Sequence, residues 1–77
     1  MSNAAKLLAE VLNLSDVPAD ARLGHPPEWD SLAHMHLVLA LEARTGQPLS
    51  PMQIVSLVNL NEIDALLRAT GAADRTP

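Results

Sequence analysis

The feature that most constrains this chain is residues 28–42, which have the sequence EWDSLAHMHLVLALE. A loop with Gly and Pro ends there, and an apolar run with helical spacing follows at once. Asp30 is a favourable N-cap because its carboxylate can accept the free N–H groups of a first helical turn. Ser31 then takes the first helical position, beside the positive end of the helix dipole, where an anion is tolerated. The pattern predicts a helix over Ser31–Thr45, ended by Gly46.

Two apolar stripes can be separated on this predicted helix by their spacing. The stripe predicted to face the core consists of Leu37, Val38 and Leu41. The other stripe lies nearer to Ser31 and consists of Leu32, Met35 and Leu39. Because one helix of a small domain cannot easily bury both, the second stripe is a candidate docking surface. A wide core stripe stays open as the alternative.

The chain before this helix is predicted to form one helix and a long loop. The helix covers residues 2–14 and can be capped by Ser2 or Asn3. Its apolar positions are Leu7, Leu8, Val11, Leu12 and Leu14. Residues 15–29 form the loop, since Gly24 and three prolines interrupt any regular pattern. A loop of this length is usually functional or pinned, and Val17 and Leu23 are the expected anchors.

Two capping boxes predict two further helices. Ser50, Pro51 and Gln53 start a short third helix over residues 51–57, and Asn59 with Glu62 starts a last one that ends near residue 69. The side chains expected to face inward are Ile54, Leu57, Ile63, Leu66 and Leu67, whereas Met52 and Val55 are expected to stay partly exposed. Residues 72–77 are expected to fray. The predicted fold is all-α, a small four-helix bundle with a long first loop and a short third helix.

Composition bounds the possible functions. The 77 residues suit a single domain over 1–77, with an ordered core of about 2–70. There is no cysteine, so the chain has neither a disulfide nor a thiol of its own. The net charge is −4 and the few basic residues are scattered, which argues against nucleic-acid binding. With no apolar run long enough for a bilayer and no export signal, a cytoplasmic location without membrane attachment is expected.

The polar residues near Ser31 are of types found in two kinds of site, a hydrolase triad and a metal centre. Asp30, Ser31 and His34 are the residue types of a hydrolase triad, but one exposed helical turn offers no sheltered oxyanion pocket. His25, His34 and His36 are the candidate metal ligands. His34 and His36 point to different sides of a helix, and no carboxylate or thiolate cluster completes a set. No metal is therefore predicted, and the histidines are expected to be solvated.

The stretch around Ser31 resembles the Asp-Ser-Leu motif of acyl and peptidyl carrier proteins of the stand-alone type. The resemblance covers nearly the whole chain, because the motif precedes the second of four predicted helices. It implies a carrier, not an enzyme, whose Ser31 receives 4′-phosphopantetheine from coenzyme A through a phosphopantetheinyl transferase. A ligase or synthase then loads an acyl or aminoacyl group as a thioester, for downstream transferases. Asp30 caps the helix beside the cofactor, and a monomer is expected.

The resemblance also implies a partner-binding face, which here consists of Leu32, Met35, His36 and Leu39. Carriers of fatty-acid synthesis usually have acidic residues along the second and third helices, yet Ala33 and His36 follow the serine here. Between Ser31 and Val58 the charged residues are Glu42 and Arg44 alone. A specialised pathway with more apolar partner contact is therefore expected, and its cargo is left open. The alternatives are a helical protein-interaction module without cofactor and a degenerate carrier that only scaffolds.

Overall fold

In a computed structural model, residues 2–71 are described, and they form four α-helices and no β-strand. The helices are α1 (Asn3–Leu12), α2 (Ser31–Thr45), α3 (Pro51–Ser56) and α4 (Leu60–Ala69). The all-α prediction is thus confirmed for this part of the chain. None of these helices is long and apolar enough to cross a bilayer. The fraying predicted for residues 72–77 lies outside the described residues.

All four helices begin at predicted caps. Ser2, Asp30, Ser50 and Asn59 have extended backbones, and the side chain of each accepts the backbone N–H of the residue three positions later. This bond satisfies one of the donors that a first turn leaves free. The predicted bounds of α2 are confirmed, with Gly46 in the left-handed conformation.

Two predicted helix ends differ slightly from the observed ones. The first helix ends at Leu12 because Asn13 adopts a φ of 58°, and its N–H donates to the carbonyls of Ala9 and Glu10. Asparagine tolerates this left-handed conformation better than most residues do. The third helix ends at Ser56, one residue before Leu57, which has left the helical region.

The core is built mainly from α1, α2 and α4, with α1 packed against both of the others. Its largest fully buried side chains are Trp29, Leu8, Leu37, Leu41, Ile63 and Leu67. The predicted core stripe of α2 is confirmed, since Val38 is buried as well. Leu66 and Val11 are partly buried and pack against this core. Removing this apolar area from water is the main source of stability.

The long loop is anchored in the core by side chains that differ in part from those predicted. Val17 is buried as expected, but Leu23 is 40% exposed, so its predicted role as a side-chain anchor is wrong. The small Ala21 and the large Trp29 are buried instead. Leu23 still ties the loop down through its backbone, because its N–H donates to the carbonyl of Val58 at 2.8 Å.

The short helix α3 lies outside the core. None of its residues is buried, and Ile54, which was predicted to face inward, is only half-buried. Leu57, directly after the helix, is buried as predicted. Met52 and Val55 are exposed, which confirms the prediction for them. Local caps and neighbouring anchors must therefore hold α3 in place.

Candidate functional site

Ser31 is the first residue of α2, and its side chain is exposed. The carboxylate of Asp30 accepts the backbone N–H of Ala33 at 2.9 Å, and the carbonyl of Asp30 accepts that of His34 at 2.8 Å. Within residues 2–71 no hydrogen bond engages the hydroxyl of Ser31. The hydroxyl oxygen is therefore accessible beside the positive end of a 15-residue helix.

Next to Ser31 lies an exposed apolar surface on α2. Leu32 is 67% exposed, Met35 50% and Leu39 61%, and His36 is exposed as well. The alternative of a wide core stripe is therefore wrong, because these side chains lie outside the core. Large apolar side chains grouped on a surface are typical of contact sites. Their predicted role in partner binding remains a prediction.

The charged residues of this region are engaged elsewhere. The carboxylate of Glu42 accepts the backbone N–H of Leu49 at 2.9 Å, and Arg44 pairs with Glu10 on α1 at 3.3 Å. An exposed pair such as Arg44–Glu10 contributes little to stability. The surface around Leu32, Met35 and Leu39 consequently has little charge with which to steer a partner.

His34 is not solvated, and the prediction for it is wrong. The side chain is 8% exposed and lies between the loop and α3. The indole Nε1–H of Trp29 donates to its Nδ1 at 3.1 Å, and its Nε2 lies 2.9 Å from the carbonyl oxygen of Ile54. Because an indole can only donate, Nδ1 must accept, and in the neutral ring the proton is on Nε2. That single tautomer satisfies both hydrogen bonds.

The burial of His34 had a signal in the sequence. His34 lies three residues before Leu37 and four before Val38, so helical spacing places it on the same side of α2 as the core stripe of Leu37, Val38 and Leu41. The same stripe includes Thr45 at its other end, and the structure buries Thr45 too. Treating the histidine as polar, and hence solvated, concealed this helical periodicity.

The candidate residues for catalysis and metal binding do not come together in the structure. Asp30 bonds the N–H of Ala33, and both ring nitrogens of His34 are engaged away from Ser31. The side chain of His25 is exposed and lies 3.7 Å from the carboxylate of Asp20. In residues 2–71 no group of three or more histidine, cysteine or acidic side chains could hold a metal ion.

The site around Ser31 is an open surface. One cleft, of about 550 Å³, lies between the starts of α1 and α4 and the loop, beside Asp16 and Asp64. Another, smaller cleft is lined by residues 19–22 and 59–61. Neither of these clefts includes Ser31.

No protein-family model matches this chain, and neither a curated protein nor a solved structure is similar to it.

Proposed function

We propose that this chain is a stand-alone carrier that holds an acyl or aminoacyl group as a thioester on 4′-phosphopantetheine attached to Ser31. The observation that carries the proposal is the free, exposed hydroxyl at the first position of α2, beside an exposed apolar surface. The proposal includes a small four-helix bundle, a monomeric state, a cytoplasmic location and a role in a specialised biosynthetic pathway. The chain itself is not an enzyme in this proposal.

The residues present fit the cofactor. The Ser31 oxygen can attack the phosphorus of coenzyme A next to the pantetheine, giving its proton to a base of the transferase and releasing adenosine 3′,5′-bisphosphate. This breaks no hydrogen bond of residues 2–71. The start of α2 favours the negative charge of the resulting phosphodiester. Asp30 keeps the first turn closed through Ala33, so the serine stays at the helix terminus. When bound, the cofactor supplies the thiol that a chain without cysteine lacks.

The proposed partners are a phosphopantetheinyl transferase, a loading ligase or synthase, and downstream transferases. The phosphopantetheinyl transferase must reach the Ser31 hydroxyl, and the other enzymes must reach the thiol of the arm attached there. They would therefore contact the exposed side chains near Ser31, which are Leu32, Met35, His36 and Leu39. Because this surface has little charge, contact depends mainly on apolar burial and weakly on salt.

The decisive experiment is the intact mass of the protein after incubation with coenzyme A and a promiscuous phosphopantetheinyl transferase. We expect the parent chain to gain one phosphopantetheine and Ser31→Ala to gain none while keeping its fold, since the hydroxyl has no structural bond. Ser15→Ala is the matched control, because Ser15 is exposed in the loop and should leave loading intact. Unfolding of Ser31→Ala would show instead that the serine is structural.

The exposed apolar side chains also favour a second candidate, a helical protein-interaction module without cofactor. Such a module would present the same surface of α2 as a docking face for an apolar partner. The two candidates differ in one measurement. A folded parent chain that gains no mass with an active transferase from its own source would favour the interaction module.

A further inference from the structure

We propose that His34 is a positioning residue that joins the turn bearing Ser31 to α3, so that the two form one recognition surface. The joining element is the hydrogen-bonded series from the Trp29 indole through the His34 ring to the Ile54 carbonyl. It connects the end of the long loop, the first turn of α2 and α3. The role in recognition depends on the proposed function, whereas the joining of the two elements does not.

The first half of the series closes the turn around Ser31. Trp29 is fully buried, and its indole bonds to a ring that lies one turn beyond the serine. The two rings are 6.1 Å apart between centroids, with 28° between their planes. A second bond, from the Ala33 N–H to the Asp30 carboxylate, closes the same turn on its solvent side. Ser31 is thus exposed on a turn whose flanking residues are fixed.

The second half of the series holds α3 itself, whose other attachments lie outside the helix, at the partly buried Leu49 before it and the buried Leu57 after it. No side chain of α3 is buried, and its capping box joins only residues of the helix and its cap. The carbonyl of Ile54 is among the last ones of α3, which lack a partner inside a helix. Within residues 2–71, the bond from the His34 Nε2–H is the only hydrogen bond between α3 and another helix. His34 therefore caps α3 from outside.

One ring makes both bonds, so the two elements are coupled. Replacing His34 by an apolar side chain leaves the indole N–H of Trp29 and the carbonyl of Ile54 without a partner. The exposed Met52 and Val55 of α3 then lose their fixed position relative to the exposed Leu32 of α2. An enzyme that contacts both α2 and α3 around Ser31 would then bind this surface more weakly, because the two helices are no longer fixed relative to each other.

Three variants separate the two bonds. His34→Leu removes both. In His34→Asn, the amide oxygen is as many bonds from Cβ as Nδ1 is and can still accept from the Trp29 indole. In His34→Gln, the amide nitrogen is as many bonds from Cβ as Nε2 is and can still donate to the Ile54 carbonyl. His36→Leu is the control for the exchange measurements, since it makes the same change at an exposed position of the same helix. The readouts are the single indole N–H resonance, amide hydrogen exchange and the kinetics of loading at Ser31.

We expect His34→Leu to shift the indole resonance and to lower the exchange protection of the Ile54 amide by about tenfold, while Leu8 in α1 stays protected. Compared with His34→Leu, His34→Asn should restore the position of the indole resonance but not the protection of Ile54. His34→Gln should restore the protection of Ile54 but not the indole resonance. His36→Leu should change neither. In loading, His34→Leu should raise the KM for the carrier by about tenfold with kcat nearly unchanged, because recognition and not chemistry is affected.

The outcomes distinguish this inference from the proposed function. If Ile54 keeps its protection in His34→Leu, or if Asn and Gln both behave like Leu, His34 only fills space and the inference is overturned. If the exchange pattern holds but the parent chain is never loaded, the joining role stands and the proposed function fails. If the parent is loaded and the KM of His34→Leu is unchanged, the role in recognition is overturned.

Discussion

Helices α1 and α3 are both short and both begin at a serine N-cap, yet they are held in different ways. Six of the ten residues of α1 are buried, whereas none of the six residues of α3 is. The first helix is stabilised by apolar packing against α2 and α4. Helix α3 depends on its capping box, on Pro51 at its start and on the single bond from His34. A good local signal can thus start a helix without placing it in the core.

This difference has a consequence for dynamics. A six-residue helix is too short to be stable alone, so α3 should open at a lower free energy than the core helices. Elements that carry contact surfaces are commonly of this less stable kind. The proposed recognition surface therefore combines a rigid part on α2 with a part on α3 whose position depends on His34.

The largest expected effect is in the core. Leu37→Ala should lower the free energy of unfolding by about 2–5 kcal/mol, because a fully buried side chain leaves a cavity. Leu39→Ala is the control on the same helix, where the side chain is 61% exposed, and it should stay within about 0.5 kcal/mol. Urea unfolding followed by circular dichroism measures both. Equal losses would mean that the two stripes of α2 do not differ in burial.

A smaller effect is expected for the polar link between α4 and α1. The carboxylate of Asp64 accepts the backbone N–H of the buried Ala4 at 3.2 Å, at the positive end of α1. Asp64→Ala should cost about 1 kcal/mol in urea unfolding, since it leaves that donor unpaired. Asp64→Asn keeps an acceptor oxygen and should lose less. If Asn and Ala lose the same amount, the charge of Asp64 is what stabilises α1.

The smallest effect on the whole fold is expected for the cap of α3. Ser50→Ala removes the acceptor for the Gln53 N–H, but global stability can lose no more than the free energy that holds α3 in place. We expect a loss below about 0.5 kcal/mol in urea unfolding, together with faster exchange of the Ile54 amide.

Asn59→Ala is the control for this comparison, since Asn59 makes the equivalent bond for the core helix α4 through the Glu62 N–H. It should cost about 1 kcal/mol, because α4 cannot open without the core. An equal cost for the two caps would show that α3 is as firmly bound to the rest of the fold as α4 is.

The helices could be predicted because their signals are local. A cap side chain bonds to an N–H only three residues away, and helical spacing places apolar residues on one side without knowledge of any partner. Asp30 and Ser31 were therefore placed correctly at the start of α2, and Leu37 and Leu41 in the core. Whether Leu39 is exposed stayed open in the sequence, because a wider core stripe would have buried it, and the structure shows that it is exposed.

The errors concern residues whose partners are distant or whose backbone carries the contact. Leu23 was expected to anchor the loop by its side chain, but its N–H does so by bonding to Val58. The smaller Ala21 is buried in the core instead. No pattern in the loop sequence distinguishes a backbone anchor from a side-chain anchor.

The sequence by itself determined, to within one residue, where each helix of residues 2–71 starts, that Leu37, Val38 and Leu41 share one side of α2, and that Ser31 opens a helix. Only the tertiary structure decided which groups the ring of His34 bonds to and that α3 lies outside the core. A buried histidine requires a donor and an acceptor at fixed positions, and these come from Trp29 in the loop and Ile54 in α3. Such partners meet only after the chain has folded, because residues separated along the chain are brought together by packing and not by local preference.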